Sequence, residues 1–322
     1  MKIMVYEARP DERADLEKQA ALHGVELSVT DAVPTLENAS VAAGCIGVSI
    51  LGQGCIDAAL LDASHALGIR YLSTRTIGYD HIDLDHARSI GLRVCSASYA
   101  PNGVADFTVM MILMCLRQVN DFSLTGLQGR EMKDLTIGII GTGRIGAQVV
   151  RNLSGFGCRI LAYDLRRNPA VEPQVTYVDF DTLLAQSDVI TLHMPLLDSN
   201  RHIINRDSVA KMRDGVVIVN CSRGELADIE ALIEGIETGK IGALGMDTVE
   251  GDEGIIHADH RVDILPNRNW FYLHQFRNVI MTQHMAFYTD AAVSSMVDCG
   301  IGGICQMAAG ESCPTELTGP VQ

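Results

Sequence analysis

Positive charge is what this sequence is short of. Lys and Arg together number 25 against 40 Asp and Glu, a formal net charge of −15 with histidine neutral. Such a chain repels phosphate backbones and anionic lipid, so neither nucleic acid nor a membrane surface is an expected partner. A small anionic ligand would need a cation of its own. Long apolar runs are also missing. The most apolar stretch, Val104 to Leu116 in VADFTVMMILMCLR, contains Asp106 and falls short of the roughly 18 residues that a membrane span requires. It predicts a buried helix. No cysteines are spaced CxxC; the nine are scattered and odd in number, the pattern of free thiols in a reducing compartment, so the expected location is cytoplasmic. MKIMVYEARP is too short, and charged too soon, for a secretory signal. Internal repeats, low-complexity tracts and long linkers are absent as well.

What remains is a chain of 322 residues, 47% apolar and 20% charged, the balance of a globular protein with room for two domains. Short β-type runs recur along it: KIMVY, GVSIL, RYLST, LRVCSA, LTIGIIG, RILAYD, DVITLHM, GVVIVN, IGALGMD and NVIMTQH. Helix-like segments such as DERADLEKQAALHG and DIEALIEGIETGK lie between them. Strands alternating with helices predict an α/β fold with parallel sheets, and runs that are apolar throughout predict strands covered on both faces. The character changes at YAPNG, residues 99–103, where Pro101 is placed to open a Met-rich helix; this is the candidate crossing between domains.

LTIGIIGTGRIGAQVV sets Gly141, Gly143 and Gly146 in G-x-G-x-x-G spacing, with Arg144 and Ile145 inside the motif. The pattern is weak alone, but here it directly follows an apolar strand and opens a helical segment. The first glycine permits the tight turn, the second lets the backbone approach a pyrophosphate, and the third lets helix and strand pack closely. The helix N-terminus then offers N–H groups to the diphosphate. The next strand ends at Asp164, where a carboxylate can accept from the adenine ribose hydroxyls, which favours NAD over NADP. Arg166 and Arg167 are the counter-signal, since guanidinium groups hold a 2′-phosphate; the alternative is two solvated loop arginines.

Ligands of such folds sit at the carboxyl ends of the strands. The groups placed there are His193, the Cys221–Gly224 segment with Arg223, Asp247 and His284. A planar guanidinium can hold an oxo acid through two hydrogen bonds, and an imidazole titrates near neutral pH.

These ends, with YLSTRTIGYDHIDLDHA, YAPNGVADFTVMMILMCLR, SDVITLHMPL, MRDGVVIVNCSRGELAD, GKIGALGMD and NVIMTQHMAFYTDAAV, make the chain resemble the D-2-hydroxyacid dehydrogenase family over essentially its full length. The resemblance is strongest to the branch of bacterial D-lactate dehydrogenases and the vancomycin-resistance dehydrogenase. It implies two Rossmann-like domains: a flavodoxin-like substrate domain from residues 1–99 and 291–322, and an NAD-binding domain from residues 100–290, with a cleft between them and a homodimer. It implies further that Arg223 binds the carboxylate and carbonyl of a 2-oxo acid and that His284 is the acid–base residue. The backbone amides of Ile77 and Gly78, with Tyr99, would meet the substrate; His193, Cys221 and Asp247 would lie on the cofactor side. The implied reaction is NAD-dependent reduction of a 2-oxo acid, pyruvate to D-lactate first, with branched or aromatic 2-oxo acids as the alternative. An NAD-sensing binding protein on the same scaffold is the rival from another class.

MDTVEGDEG, residues 246–254, departs from the family. Five residues after the strand-end aspartate the family carries a glutamate that hydrogen-bonds the catalytic histidine; counting from Asp247 gives Asp252. Asp252 is therefore expected as the partner of His284, ahead of Glu253, while Glu250 matches an acidic position without a catalytic role. HADH, residues 257–260, has the look of metal-ligand spacing, but hydride transfer needs no metal and solvated loop residues explain it, so no metal is expected.

Overall fold

The computed structural model describes residues 1–119, 128–252, 255 and 267–319. Its strands are β1 (Lys2–Val5), β2 (Glu26–Val29), β3 (Gly47–Ile50), β4 (Tyr71–Thr74), β5 (Arg93–Cys95), β6 (Thr136–Ile140), β7 (Arg159–Tyr163), β8 (Thr176–Tyr177), β9 (Val189–Leu192), β10 (Val216–Asn220), β11 (Ile241–Met246) and β12 (Val279–Met281). The α-helices are α1 (Arg13–His23), α2 (Ala58–Ala66), α3 (Leu84–Ser89), α4 (Asn102–Leu116), α5 (Arg144–Ser154), α6 (Phe180–Gln186), α7 (Arg206–Lys211), α8 (Ile229–Glu237), α9 (Arg268–His274) and α10 (Asp290–Ala308). All ten runs read as strands are strands. Two further strands, β2 and β8, lie at sheet edges, where no residue of β2 is buried and β8 has only two residues.

The chain divides into two compact units, Met1–Ala100 with Tyr288–Gln322, and Pro101–Phe287. In the first, five parallel strands take the order β2-β1-β3-β4-β5, the flavodoxin-like arrangement. Its central strand β3 is buried throughout. α10 is long and apolar enough to cross a membrane by composition alone, yet Val297, Ile301, Ile304 and Met307 pack it against Ile3, Val5 and Leu16. Between these layers lies a fully buried ion pair: Arg75 donates through Nε to Glu12 at 3.0 Å and through Nη2 to the carbonyl of Tyr6 at 3.0 Å. Removing one partner of such a pair strands the other charge in the core.

In the second unit seven parallel strands take the order β12-β11-β10-β9-β6-β7-β8. β6, β9 and β10 are buried at every residue, as strands covered by helices on both faces must be. Chain direction across the sheet reverses between β6 and β9, so the crevice of this doubly wound sheet opens at their carboxyl ends. Pro101 is the N-cap of α4. The apolar face of α4, including Met111, Ile112 and Cys115, is buried.

Candidate active site

Of the loops that leave the carboxyl edge of the seven-stranded sheet, six carry residues singled out above. After β6 the chain turns at Gly141 with φ +93°, a conformation that side chains rarely adopt. A Cβ on Gly141 would stand 2.6 Å from the carbonyl oxygen of His193, and one on Gly146 only 1.9 Å from that of Gly141. The two glycines are therefore what let β6, α5 and the end of β9 close on one another. Gly143 is the N-cap of α5 with no side-chain cap, and Gly143 and Arg144 are exposed while Ile145 is half-buried. The helix N-terminus thus begins on a glycine with no side chain to fold back over it, which suits a diphosphate.

Asp164 follows β7 and turns back into this loop. Its Oδ2 accepts from the N–H of Thr142 at 2.6 Å and from Thr142 Oγ1 at 3.1 Å, and its Oδ1 accepts from the N–H of Arg166 at 2.9 Å. Thr142 is held from a second side, where Tyr177 donates its hydroxyl to Thr142 Oγ1 at 2.9 Å and Asn168 Nδ2 donates to the Thr142 carbonyl at 2.8 Å. This network was not visible in the sequence, because Thr142 and Tyr177 are 35 positions apart. Arg167 lies over the Tyr177 ring, 5.5 Å from its centroid, and faces Glu172 at 3.9 Å. It has local partners, whereas Asp164 stands directly after β7 and faces the glycine turn through Thr142.

His193, at the end of β9, is buried. Its Nε2 is 3.0 Å from Thr191 Oγ1, and its Nδ1 is a buried polar atom without a hydrogen-bond partner among the described residues. Burial pulls its pKa down to about 3, because a charged imidazole loses its hydration there. His193 is therefore neutral at any working pH and offers one open ring nitrogen beside the glycine turn. That open nitrogen, the uncapped α5 and the glycine clearances all fit a bound dinucleotide.

The three remaining loops leave neighbouring strands. After β10, Cys221 is buried, and burial pushes its thiol far up; it is a packing residue with no thiolate to offer. Arg223 is half-buried, with Nη1 donating to the Ser222 carbonyl at 3.0 Å and its own carbonyl accepting from Asn220 Nδ2 at 2.7 Å. Asp247, at the end of β11, is buried, and its carboxylate accepts from Thr282 Oγ1 at 2.6 Å, the N–H of Met285 at 2.8 Å and the N–H of Ala286 at 2.9 Å. His284 follows β12 with φ +50°, donates its N–H to the Asp247 carbonyl at 2.9 Å and sets its ring edge-on to Phe287 with centroids 6.1 Å apart. A left-handed histidine costs energy that the surrounding structure must supply, and the grip of Asp247 on both sides of it is such a source.

Asp252 closes a turn. Its N–H donates to the Val249 carbonyl at 3.1 Å and its Oδ2 accepts from the N–H of Val249 at 2.9 Å, with Gly251 at φ +75° between. Glu250, read as an acid without a task, has a partner that the sequence did not disclose: its Oε1 is 2.6 Å from His202 Nε2 and 3.9 Å from Arg201. Glu253, His257, Asp259 and His260 lie outside the described residues. In the first unit, Ile77 and Gly78 follow β4 and Tyr99 follows β5; all three are half-buried. Thr76 Oγ1 donates to the Gly78 carbonyl at 2.6 Å, and the N–H of Ala97 donates to the Thr76 carbonyl at 2.9 Å, which ties the two loops together.

Comparison with known proteins agrees with this arrangement. Residues 110–286 match the NAD binding domain of the D-isomer specific 2-hydroxyacid dehydrogenases. An aromatic 2-oxoacid reductase of Clostridium sporogenes is 40% identical over 312 residues, covering 92% of this chain and 93% of that protein. The D-lactate dehydrogenase of Escherichia coli is 36% identical over 328 residues, covering 98% of this chain and all (100%) of that one. Among solved structures, the NAD-complexed D-isomer specific 2-hydroxyacid dehydrogenase of Lactobacillus delbrueckii superposes with a TM-score of 0.84 at 30% identity, covering 98% of this chain and 100% of that one. With the matched domain, the full-length relatives and the dinucleotide site in agreement, this chain belongs to the D-isomer specific 2-hydroxyacid dehydrogenase family and is an NAD-dependent enzyme of 2-oxo and 2-hydroxy acids.

Proposed function

We propose that the enzyme reduces pyruvate to D-lactate, with Arg223 holding the oxo acid and His284 as the acid–base residue. The observation that carries this reading is the departure of Arg223, Asp247 and His284 from three adjacent strands, β10, β11 and β12, at the edge where the dinucleotide loop lies. NADH, when bound, supplies the hydride. Protonated His284 donates its proton to the carbonyl oxygen, and the guanidinium of Arg223 stabilises the negative charge growing there, a fixed-charge effect of the kind that usually dominates catalysis. Asp252 keeps His284 protonated by adding a negative charge near the ring. In the first unit, Ile77 and Gly78 offer backbone N–H groups to the substrate carboxylate, and Tyr99 packs beside it.

Aromatic 2-oxo acids are the second reading, favoured by the 40% identity to the Clostridium sporogenes reductase of that class. One assay separates the two: the protein is mixed with NADH and, in turn, pyruvate, 2-oxoisocaproate and phenylpyruvate, and the loss of NADH absorbance is followed. A kcat/KM highest for pyruvate upholds the first reading; one highest for phenylpyruvate replaces it with the second. The protein is further proposed to be a cytoplasmic homodimer. The outward side of α4, where Met110, Leu113 and Met114 line an open apolar hollow, suits a second copy, and light scattering should give twice the 34.8 kDa of one chain.

A further inference from the structure

We propose that His202 and Glu250 are positioning residues that hold the Arg223 loop and the Asp252 turn in one register. This deepens the reading of the site given above and rests on it. Three contacts interlock the segments. First, Gly224, next to Arg223, lies so close to the Val249–Glu250 peptide that a Cβ on it would stand 2.2 Å from the Val249 carbonyl carbon and 2.4 Å from the Glu250 nitrogen. Second, the N–H of His202 donates to the carbonyl of Glu225, two residues after Arg223, at 2.8 Å, and the pairing continues from Ile204 N–H to the Leu226 carbonyl at 3.0 Å. Third, the His202 ring reaches Glu250 Oε1 at 2.6 Å. His202 therefore holds the Arg223 loop with its backbone and the 249–252 turn with its side chain.

The backbone at His202 supports a positional role. It sits at φ +53°, off the range that ordinary side chains prefer, and Asn205 Nδ2 donates to its carbonyl at 2.9 Å, which fixes the peptide on the other side. The strain serves to aim the ring at Glu250. Glu250 and Asp252 belong to the same tight turn, in which Asp252 binds the N–H of Val249. A shift of Glu250 therefore moves Asp252 and, through the contact with Gly224, the Arg223 backbone. Displacements on the order of 1 Å at a reacting group cost up to about 10²-fold in rate.

The experiment measures kcat and KM for the best 2-oxo acid, the NADH dissociation constant by fluorescence, and the melting temperature. The proteins are the wild type, Glu250→Ala, Glu250→Gln, His202→Asn and the double variant His202→Asn/Glu250→Ala. Asparagine tolerates the left-handed backbone but lacks the reach of the ring. We expect Glu250→Ala and His202→Asn each to lose roughly tenfold or more in kcat/KM for the oxo acid. NADH affinity should stay within about twofold, since neither group lies at the dinucleotide loop, and Glu250→Gln, which keeps a hydrogen bond to His202, should recover most of the loss. The double variant should be no worse than the poorer single one, because one shared contact is removed either way. An active wild type with unchanged single variants, with additive losses, or with NADH binding lost in step with the oxo acid overturns the proposal alone. A wild type inactive on every 2-oxo acid overturns the functional reading and the proposal with it. If Glu250→Ala does not fold, His202→Asn and Glu250→Gln decide the matter by the same criteria.

Discussion

Asp247 holds His284 by the backbone on one side and by the following residues on the other. The N–H of His284 meets the Asp247 carbonyl at 2.9 Å, while the Asp247 carboxylate takes Thr282 Oγ1, Met285 N–H and Ala286 N–H. An aspartate expected to lie beside the nicotinamide thus spends its carboxylate on the segment that carries the histidine. Asp247→Asn replaces one acceptor oxygen by an NH₂ group, which must then face one of the three donors. A buried donor left unpaired costs about 1–3 kcal/mol. Urea unfolding should show a loss of that size, and turnover should fall more than NADH affinity. Unchanged stability would mean that the three donors find other acceptors.

Arg223→Gln should raise the KM for the oxo acid and lower kcat, while NADH affinity, read by fluorescence, stays near wild type. His284→Ala should keep NADH binding and lose roughly 10²-fold or more in rate, the usual scale of a positioned acid or base. Asp252→Asn should move the loss of reductase activity to lower pH, because removing a nearby negative charge makes the imidazolium easier to deprotonate. A nearly active His284→Ala enzyme would remove that residue from the mechanism.

Asp164→Ala should narrow the preference for NADH over NADPH by removing the charge that repels a 2′-phosphate. The gain with NADPH should stay modest, because Arg167 is stacked on Tyr177 and faces Glu172. The same substitution frees the Thr142 N–H that Asp164 binds at 2.6 Å, so NADH affinity should fall as well. Equal wild-type efficiency with both cofactors, measured as kcat/KM, would show that an arginine governs the site.

The fold was legible wherever burial imposed a pattern. Strands such as β6, β9 and β10 are apolar at nearly every position because helices cover both faces, and the glycine motif announced its own turn. β2, half-exposed along its length, and β8, two residues long, left no such trace. Strand-end chemistry was legible too, since a parallel sheet brings its carboxyl ends to one edge. Hidden from the sequence were the pairings between those loops: His202 with Glu250, Tyr177 with Thr142, and Asp247 with the loop after β12. Each is a hydrogen bond across dozens of residues between types that are ordinary in any surface loop. Local patterning cannot mark such pairs.

Two adjacent glycines in α10 should respond oppositely to alanine. At Gly303 a Cβ would stand 2.7 Å from the sulfur of Cys95, which is fully buried and cannot retreat, whereas at Gly302 the nearest atom is His23 Nε2 at 3.5 Å, an ordinary contact. Alanine in a helix interior is worth up to about 1 kcal/mol over glycine, and overpacking costs about 1–3 kcal/mol. Gly302→Ala should therefore raise the unfolding midpoint and Gly303→Ala lower it. Movement of both in the same direction would show that the Cys95 side of α10 yields.

His193 ties burial to acid stability. Its folded-state pKa is depressed to about 3 by burial, against roughly 6.5 in an unfolded chain. Between those values the unfolded state carries a proton on this residue that the folded state refuses. Stability therefore rises with pH across that window, and the contribution is lost as pH falls from about 6.5 towards 3, with a slope of up to about 1.4 kcal/mol per pH unit from this single group. His193→Asn removes the titrating group and should flatten the acid limb of a urea-unfolding series measured from pH 7 to pH 4. Because His193 is neutral throughout the working range, the same variant should leave the shape of the reductase pH profile intact while NADH binding weakens. A pH–rate profile that moved with His193→Asn would transfer to this buried ring the proton chemistry assigned to His284.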